Sequence, residues 1–216
     1  MKYIIMCGGF YQNFKDTPKH LSIVKGERIA DRTIRLLKEN GINEENIFIS
    51  SNNPIFDTCG VKRLEHHNSY RYDNDVLTGY WLDAFYPHLE NNEKVTYIFG
   101  DVYFTENAIK QIVTYKTDKN ILFGTSLAKN KENKNWGEPF AYIVNDYETF
   151  MKGIADVKKL QDEGKTKRIA LVWELYRYLN GLDVNIQQVL DDTYVCIDDG
   201  TIDIDEPEQI DRLNKI

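Results

Sequence analysis

The sequence predicts an α/β domain with three layers, a mainly parallel central sheet carrying helices on both faces. Three observations predict it. Short apolar runs alternate with segments whose apolar residues repeat at helical spacing, the pattern of strand–helix units that build a parallel sheet. Tyr3–Met6 ends in Gly8-Gly9 and Val95–Phe99 ends in Gly100-Asp101, as expected of buried parallel strands that feed loops. No internal repeat, low-complexity tract or proline-rich linker interrupts the 216 residues, so one domain over 1–216 is the simplest organisation.

Tyr3–Met6 is the first strand, followed by a loop that runs to Pro18. A helix is expected from near Glu27, because Ala30, Thr33, Ile34 and Leu37 fall at i, i+3, i+4 and i+7 and Gly41 supplies a stop. Ile47–Ser50 reads as the second strand and Val61–Leu64 as the third. Leu77, Tyr80, Trp81 and Ala84 return to helical spacing, which predicts a helix over Asp75–Phe85. Val95–Phe99 is the clearest strand, and Thr105 can cap a helix whose inner face carries Ile109, Ile112 and Val113. Strands are expected at Ile121–Leu127 and Phe140–Val144, then helices near Asp146–Leu160 and Arg168–Leu179. A strand at Tyr194–Ile197, a turn at Asp199-Gly200 and a short helix after Pro207 complete the chain.

Composition narrows the function. The apolar fraction of 42% supports a substantial core and argues against disorder. A formal net charge of −7 argues against a nucleic-acid partner, whose phosphates require a basic face. Cys7, Cys59 and Cys196 are scattered and form no Cys-x-x-Cys, as expected in a reducing compartment without a disulfide framework or zinc knuckle. The apolar opening MKYIIMCGG is too brief for a signal peptide or membrane span, so a cytoplasmic protein with no membrane partner is expected.

Three segments carry candidate chemistry. In Cys7–Leu21, glycines after a first strand allow close backbone approach to a ligand, free amides can hold phosphates, and Lys19 adds a positive charge. The second segment places Asp101 at a strand end, where ligands of parallel sheets bind. The third, Asp199–Ile210, holds Asp203 and Asp205. Each has a structural alternative: a tight turn at Gly8-Gly9, a solvated Lys19, a turn at Asp101, and a capping box formed by Asp205 with Glu208. Asp203 is expected to face solvent or to support the ligands from behind.

Taken together, the segments resemble the nucleotidyltransferase superfamily with the GT-A-like fold: sugar-nucleotide pyrophosphorylases, cytidylyltransferases and molybdenum-cofactor guanylyltransferases. Gly8-Gly9 followed by Pro18-Lys19-His20-Leu21 resembles that family's glycine-rich loop ending in Pro-Lys-x-Leu. Gly100-Asp101 resembles its central strand end, and Ile204-Asp205-Glu206-Pro207-Glu208-Gln209-Ile210 its closing Ile-Asp-x-Pro-Glu-Asp-Leu. The resemblance spans nearly the whole chain. It implies that Asp101 and Asp205 hold Mg²⁺ or Mn²⁺ against nucleotide phosphates and that Lys19 neutralises charge during attack on the α-phosphate. It implies nucleotide contacts from Cys7, Gly8, Gly9, Lys15, Lys19, Asn74, Thr78, Gly79 and Asp101. Thr78-Gly79 corresponds to a base-reading Gly-Thr in reversed order. The loop departs from the family by lacking a second glycine and an arginine, and Lys15 is the residue available in the arginine's place.

The implied reaction transfers a nucleotidyl group, with CTP favoured, from a nucleoside triphosphate to a small phosphorylated acceptor, a sugar phosphate or a phospho-alcohol. Homodimerisation is left open. Trp136, Glu138 and Tyr142, with Trp81, are candidates for an aromatic and acidic acceptor pocket suited to a cationic group. The alternatives are a GT-A glycosyltransferase, disfavoured because Asp101 is followed by Val102-Tyr103 rather than forming Asp-x-Asp, and a non-catalytic nucleotide-binding relative. Gly164-Lys165-Thr166 is discounted as a phosphate loop because Lys159 stands where its earlier glycine is required. His66-His67 are expected at the surface, and Trp173 and Tyr176 in the core.

Overall fold

The computed structural model describes residues 1–8, 14, 17–66, 69–73, 76–85, 93–126 and 137–215, with the backbone alone at 71–73, 76 and 77. The first half contains β1 (Lys2–Met6), β2 (Ile23–Val24), β3 (Glu27–Arg28), α1 (Ile29–Glu39), β4 (Ile47–Ser50), β5 (Lys62–Leu64), β6 (Arg71–Asp73) and β7 (Val76–Thr78). The second half contains β8 (Val95–Phe99), β9 (Val102–Tyr103), α2 (Glu106–Thr114), β10 (Ile121–Gly124), β11 (Pro139–Val144), α3 (Tyr147–Asp162), α4 (Val172–Leu179), β12 (Tyr194–Cys196), β13 (Ile202–Asp203) and α5 (Pro207–Lys215).

Seven strands form the central sheet in the order β12-β10-β11-β8-β1-β4-β5. Pairings around β1, between β4 and β5 and between β10 and β12 are parallel, whereas β11 runs antiparallel to both neighbours. Every residue of β8 is buried, as expected of a central strand covered on both faces. Alternation of side chains shows that cover directly. Tyr97 and Tyr142 are in register and meet Phe150 of α3 on one face. Phe123 is in register with Ala141, so it points the other way, and it packs on Tyr115 at the end of α2.

Most expected elements form close to their predicted bounds, with Thr105 Oγ1 accepting the Ala108 amide at 3.0 Å to cap α2. The helix expected over Asp75–Phe85 does not form. Strands β6 and β7 pair as a hairpin, and only Trp81–Phe85 winds into a 3-10 turn. Gly79 breaks the helix with φ +80°, and a Cβ there would lie 2.1 Å from the Ser69 carbonyl oxygen. The helix expected from Arg168 starts later, at Val172, because Leu171 is extended and its amide donates to the Glu174 carboxylate at 2.9 Å. The strand expected to reach Leu127 ends at Gly124, and Leu127 itself lies outside the described residues. Gly164-Lys165 closes α3: their amides donate to the Gln161 and Leu160 carbonyls, which explains the false phosphate-loop pattern.

The last elements position the site. Strand β13 pairs antiparallel with β9, setting Asp203 opposite Val102, and the Ile204 amide donates to the Asp101 carbonyl at 3.0 Å. Helix α5 lies against the β2–β3 hairpin, where Lys25 N–H donates to Asn214 Oδ1 at 2.6 Å. Two acidic segments a hundred residues apart in sequence are thereby held side by side.

Candidate active site

Parallel pairing of β1 with β8 sets Met6 opposite Phe99, so Gly8 and Asp101 emerge together at the carboxyl ends of two adjacent strands. Gly100 is needed for that closeness. A Cβ on it would lie 2.6 Å from both Cys7 Sγ and the Met6 carbonyl oxygen, and its amide donates to that carbonyl at 3.0 Å.

Lys19 arrives from a different direction, on a single 3-10 turn (Lys19–Leu21) anchored by the buried side chains of His20 and Leu21. Its ammonium lies 2.8 Å from Asp101 Oδ2 and 3.1 Å from Asp205 Oδ1. The Lys19 side chain is 13% exposed and that of Asp205 64%, so the pair spans the boundary between interior and solvent. Burial opposes the charge on Lys19, but Asp101, then Asp203 and Asp205, outweigh it and raise its pKa. Burial likewise opposes ionisation of Asp101, and Lys19 outweighs it, holding the carboxyl below the usual range.

Asp203 behaves oppositely. Burial, then the nearby Asp101 carboxylate, push its pKa well above the usual range, with Lys19 acting against them. Its Oδ1 is buried and has no hydrogen-bond partner. Of the two places expected for Asp203, solvent and a place behind the ligands, solvent is overturned: β13 pairing turns it into the site. The capping box expected of Asp205 and Glu208 is also replaced. Gln209 Oε1 accepts the amides of Asp205 and Glu206, each at 2.7 Å, leaving the Asp205 carboxylate to meet Lys19.

A cavity of about 530 Å³ opens beside this cluster. Gly8, Lys19, Asp101, Asp203 and Asp205 line one end. Tyr70, Trp81, Phe99, Glu138, Arg168 and Trp173 are among the cavity's other lining residues. Glu138, a candidate acceptor residue from the sequence, is thus part of the lining, its amide donating to Thr125 Oγ1 at 2.9 Å. Arg168 was not anticipated. Its Nε donates to Glu174 Oε1 at 3.0 Å, which fixes the guanidinium at the cavity edge. Trp173 is buried as expected but also touches the cavity, whereas Tyr176 belongs to the core.

Two expected ligand contacts are corrected. Tyr142 is 0% exposed and packs on Phe150 inside the core, so it cannot touch an acceptor. Cys7 is fully buried and its amide donates to the Ser50 carbonyl at 2.9 Å, so neither its thiol nor its N–H is presented to a nucleotide. Thr78 is exposed on the hairpin, and the Gly79 carbonyl accepts from Gln161 Nε2 at 2.9 Å; neither residue lines the cavity. Gly9, Lys15, Asn74 and Trp136 lie outside the described residues. His66, expected at the surface, is buried. Its Nδ1 is 3.0 Å from Ser50 Oγ, and its ring lies against Gly8 beside a smaller void of about 80 Å³ that Asp101 also lines. His67 is outside the described residues. Burial is the main cause that lowers His20 to about 4, so this ring is neutral at pH 7 and adds no charge beside Lys19.

Among the described residues, no three acidic, histidine or cysteine side chains already converge as a metal cage. Asp101, Asp203 and Asp205 nevertheless suit a hard cation of the magnesium type, which takes one or two carboxylates and completes its shell with phosphate oxygens and water. The partnerless Asp203 oxygen is the observation that fits a cation here, and the Lys19 ammonium already bridges Asp101 and Asp205. Also among the described residues, no helix is long and apolar enough to cross a membrane.

No family profile matches the chain, and no curated protein sequence matches it. Solved structures do. A 4-diphosphocytidyl-2C-methyl-D-erythritol synthase from Anaerococcus prevotii matches with TM-score 0.61 at 14% identity, over 99% of this chain and 96% of that one. The CTP:phosphocholine cytidylyltransferase of Streptococcus pneumoniae matches with TM-score 0.55 at 18% identity, over 99% and 97%. The inositol-1-phosphate CTP transferase of T. maritima matches with TM-score 0.57 at 14% identity, over 99% and 94%. The chain has the fold of these nucleotidyltransferases along essentially its whole length.

Proposed function

We propose that this protein transfers a nucleotidyl group from a nucleoside triphosphate, CTP being favoured, to a small phosphorylated acceptor, releasing pyrophosphate. The observation that carries this reading is the cluster of Lys19, Asp101, Asp203 and Asp205 at adjacent strand ends, opening onto a cavity of about 530 Å³ in a nucleotidyltransferase fold. The central strand end carries no Asp-x-Asp, since Asp101 is followed by Val102 and Tyr103, both buried in β9; the Asp203-Ile204-Asp205 triplet stands instead on β13 and the residues after it.

An oxygen of the acceptor phosphate attacks the α-phosphorus. The bond from that phosphorus to the β-phosphate bridging oxygen breaks, and pyrophosphate leaves with its electron pair. No protein nucleophile is required, so catalysis is positioning and charge stabilisation. Lys19 turns its ammonium from the carboxylates toward the α-phosphate oxygens, where negative charge builds. Asp101 and Asp205, joined by Asp203, hold the divalent cation. A bound Mg²⁺ or Mn²⁺ ion supplies the positive charge that lets a triphosphate rest beside three carboxylates. The Gly8 backbone borders the nucleotide.

The acceptor occupies the far half of the cavity. Arg168 offers a fixed guanidinium for its phosphate, a geometry well suited to paired oxygens. Glu138 with Tyr70, Trp81 and Trp173 suits a positively charged group on the same molecule, through charge pairing and ring-face attraction. A phosphorylated amino-alcohol such as phosphocholine or phosphoethanolamine carries both features. The CTP:phosphocholine cytidylyltransferase among the structural matches supports this choice of class and of base.

Pyrophosphate release, measured with each of four ribonucleoside triphosphates and Mg²⁺ against a panel of phosphorylated sugars, alcohols and phosphonates, tests the reading. Acceptor-dependent release with one triphosphate names both substrates. Silence together with absent triphosphate binding overturns it.

A further inference from the structure

The two walls of the acceptor half come from segments distant in sequence. One carries the lining residues Tyr70 and Trp81, on either side of the β6–β7 hairpin; the other carries Arg168 and Trp173. Helix α3 touches neither end of the reaction chemistry, yet its last turn meets both walls. Gln161 Nε2 donates to the Gly79 carbonyl at 2.9 Å, and Gln161 Oε1 accepts the Ala170 amide at 2.8 Å. Both ends of one side-chain amide are thus used, one on each wall.

The tie is tight at both ends. On the hairpin side, Gly79 is pressed against Ser69 and Tyr70 so closely that a Cβ would lie 2.1 Å from the Ser69 oxygen, and the Tyr80 amide donates to Ser69 Oγ at 3.0 Å. Holding Gly79 therefore holds Tyr70 and Trp81. Two neighbours on α3 reinforce that side: Lys158 pairs with Asp83 at 2.5 Å, and Asp162 accepts the Tyr80 hydroxyl at 2.6 Å. On the other side, Ala170 is followed by Leu171, whose amide donates to Glu174, the same carboxylate that fixes Arg168. Gln161 thus has one hydrogen bond to each of the two segments.

We propose that Gln161 is a positioning residue that sets the width of the acceptor half of the cavity, and so selects which acceptors fit, without touching substrate. The kinetic consequence rests on the nucleotidyl-transfer reading; the structural consequence does not, and the experiment separates them. In the full chain, Gln161→Leu removes both bonds, whereas Gln161→Glu keeps the acceptor for Ala170 and loses the donor to Gly79. Amide hydrogen exchange should show Ala170 and Tyr80 both losing protection by at least about tenfold in Gln161→Leu, with Phe150 at the start of α3 unchanged. In Gln161→Glu, Tyr80 alone should lose protection, and this isosteric variant decides the matter if the leucine variant does not fold. Unchanged exchange at Tyr80 in the glutamate variant overturns the proposal, as does unchanged exchange at either wall in a folded leucine variant. In the pyrophosphate assay the acceptor KM should rise by at least about fivefold while the triphosphate KM stays within about twofold. Both KM values rising together, or neither moving, overturns the selecting role. A wild-type protein that releases no pyrophosphate counts against nucleotidyl transfer instead, and removes the acceptor-selecting role with it, while the exchange measurement still decides whether Gln161 ties the walls.

Discussion

Replacing Asp203 with asparagine should make the protein more stable and less active at once. Burial and the neighbouring Asp101 carboxylate raise the Asp203 pKa well above the usual range, and its Oδ1 is buried without a hydrogen-bond partner. A raised pKa means that the folded chain holds this proton more tightly than the unfolded chain does. The folded state therefore suffers no penalty below the unfolded pKa of about 3.9. As pH climbs above that value, stability falls by up to about 1.4 kcal/mol per pH unit, until the folded-state pKa is passed. Asparagine keeps the shape and carries no such penalty. The advantage of Asp203→Asn over wild type should be near zero at about pH 4 and widen toward neutrality, by at most about 1.4 kcal/mol for each pH unit passed. In a chain of this size each kcal/mol corresponds to about 2–4 °C in Tm. Urea or thermal denaturation of both proteins in chelator, from mildly acidic to neutral pH, reads the difference directly. Asp101, with its depressed pKa, contributes the opposite slope to both proteins and cancels in the comparison to first order. Parallel stability profiles for the two proteins across that range would refute the reasoning.

Asp101→Asn and Asp205→Asn should each lower turnover by at least about tenfold with folding intact, because each removes a charge from the group that meets the triphosphate; wild-type turnover in a folded variant removes that residue from the site. Tyr142→Phe should leave both KM values unchanged and Tm equal or higher, since its hydroxyl is buried without a partner; a selective rise in acceptor KM would restore the role that burial denies it. Gly100→Ala should cost about 1–3 kcal/mol by overpacking, because the new Cβ meets the Met6 backbone at 2.6 Å, and urea denaturation unchanged from wild type would show that β1 and β8 can part without cost.

The parts of the fold legible in sequence are those with one dominant periodicity. Val95–Phe99 is buried throughout and forms as read, and Thr105 caps α2 by accepting the Ala108 amide, as a hydroxyl before an apolar helical face is suited to do. The failure at Asp75–Phe85 is physical. Leu77, Tyr80, Trp81 and Ala84 do repeat at helical spacing, but Gly79 takes a left-handed backbone conformation, and its close contact with Ser69 is a tertiary constraint that local spacing does not encode. Lys19, Asp101 and Asp205 were legible because each sits in a short motif beside glycine or proline, and they do converge. Asp203 stands out beside Asp205 in the sequence, but its direction does not, because a strand of two residues, β13, decides where it points, and so short a pairing leaves no periodic trace. Arg168 and Gln161 were missed for a related reason. Nothing around them in the chain distinguishes them, and the roles proposed for them rest on partners, Glu174 for one and Gly79 with Ala170 for the other, that only the packed structure supplies.

The charges around the cavity bear on how the proposed substrates enter. Its described lining carries the acids Asp101, Glu138 and Asp205, with Asp203 biased toward its neutral form, against two cations, Lys19 and Arg168. Arg168 is already engaged with Glu174, and Lys19 with Asp101 and Asp205. A triphosphate entering such a site alone would add several negative charges to an existing excess, at short range and partly out of water, where like charges repel most strongly. The same excess draws cations toward the cavity. The electrostatics therefore favour a triphosphate that arrives with its divalent cation over either component alone. Lys19 serves as the internal counter-ion until then, and becomes free to meet phosphate only when another positive charge takes over Asp101 and Asp205. On this argument triphosphate affinity should collapse when the divalent ion is removed and should be restored by Mg²⁺ or Mn²⁺. The ion alone should bind the wild-type chain more weakly than it binds Lys19→Met, in which the two carboxylates lose their resident partner. Equal ion affinity in the two proteins, read by titration calorimetry without nucleotide, would show that Lys19 does not compete for that place.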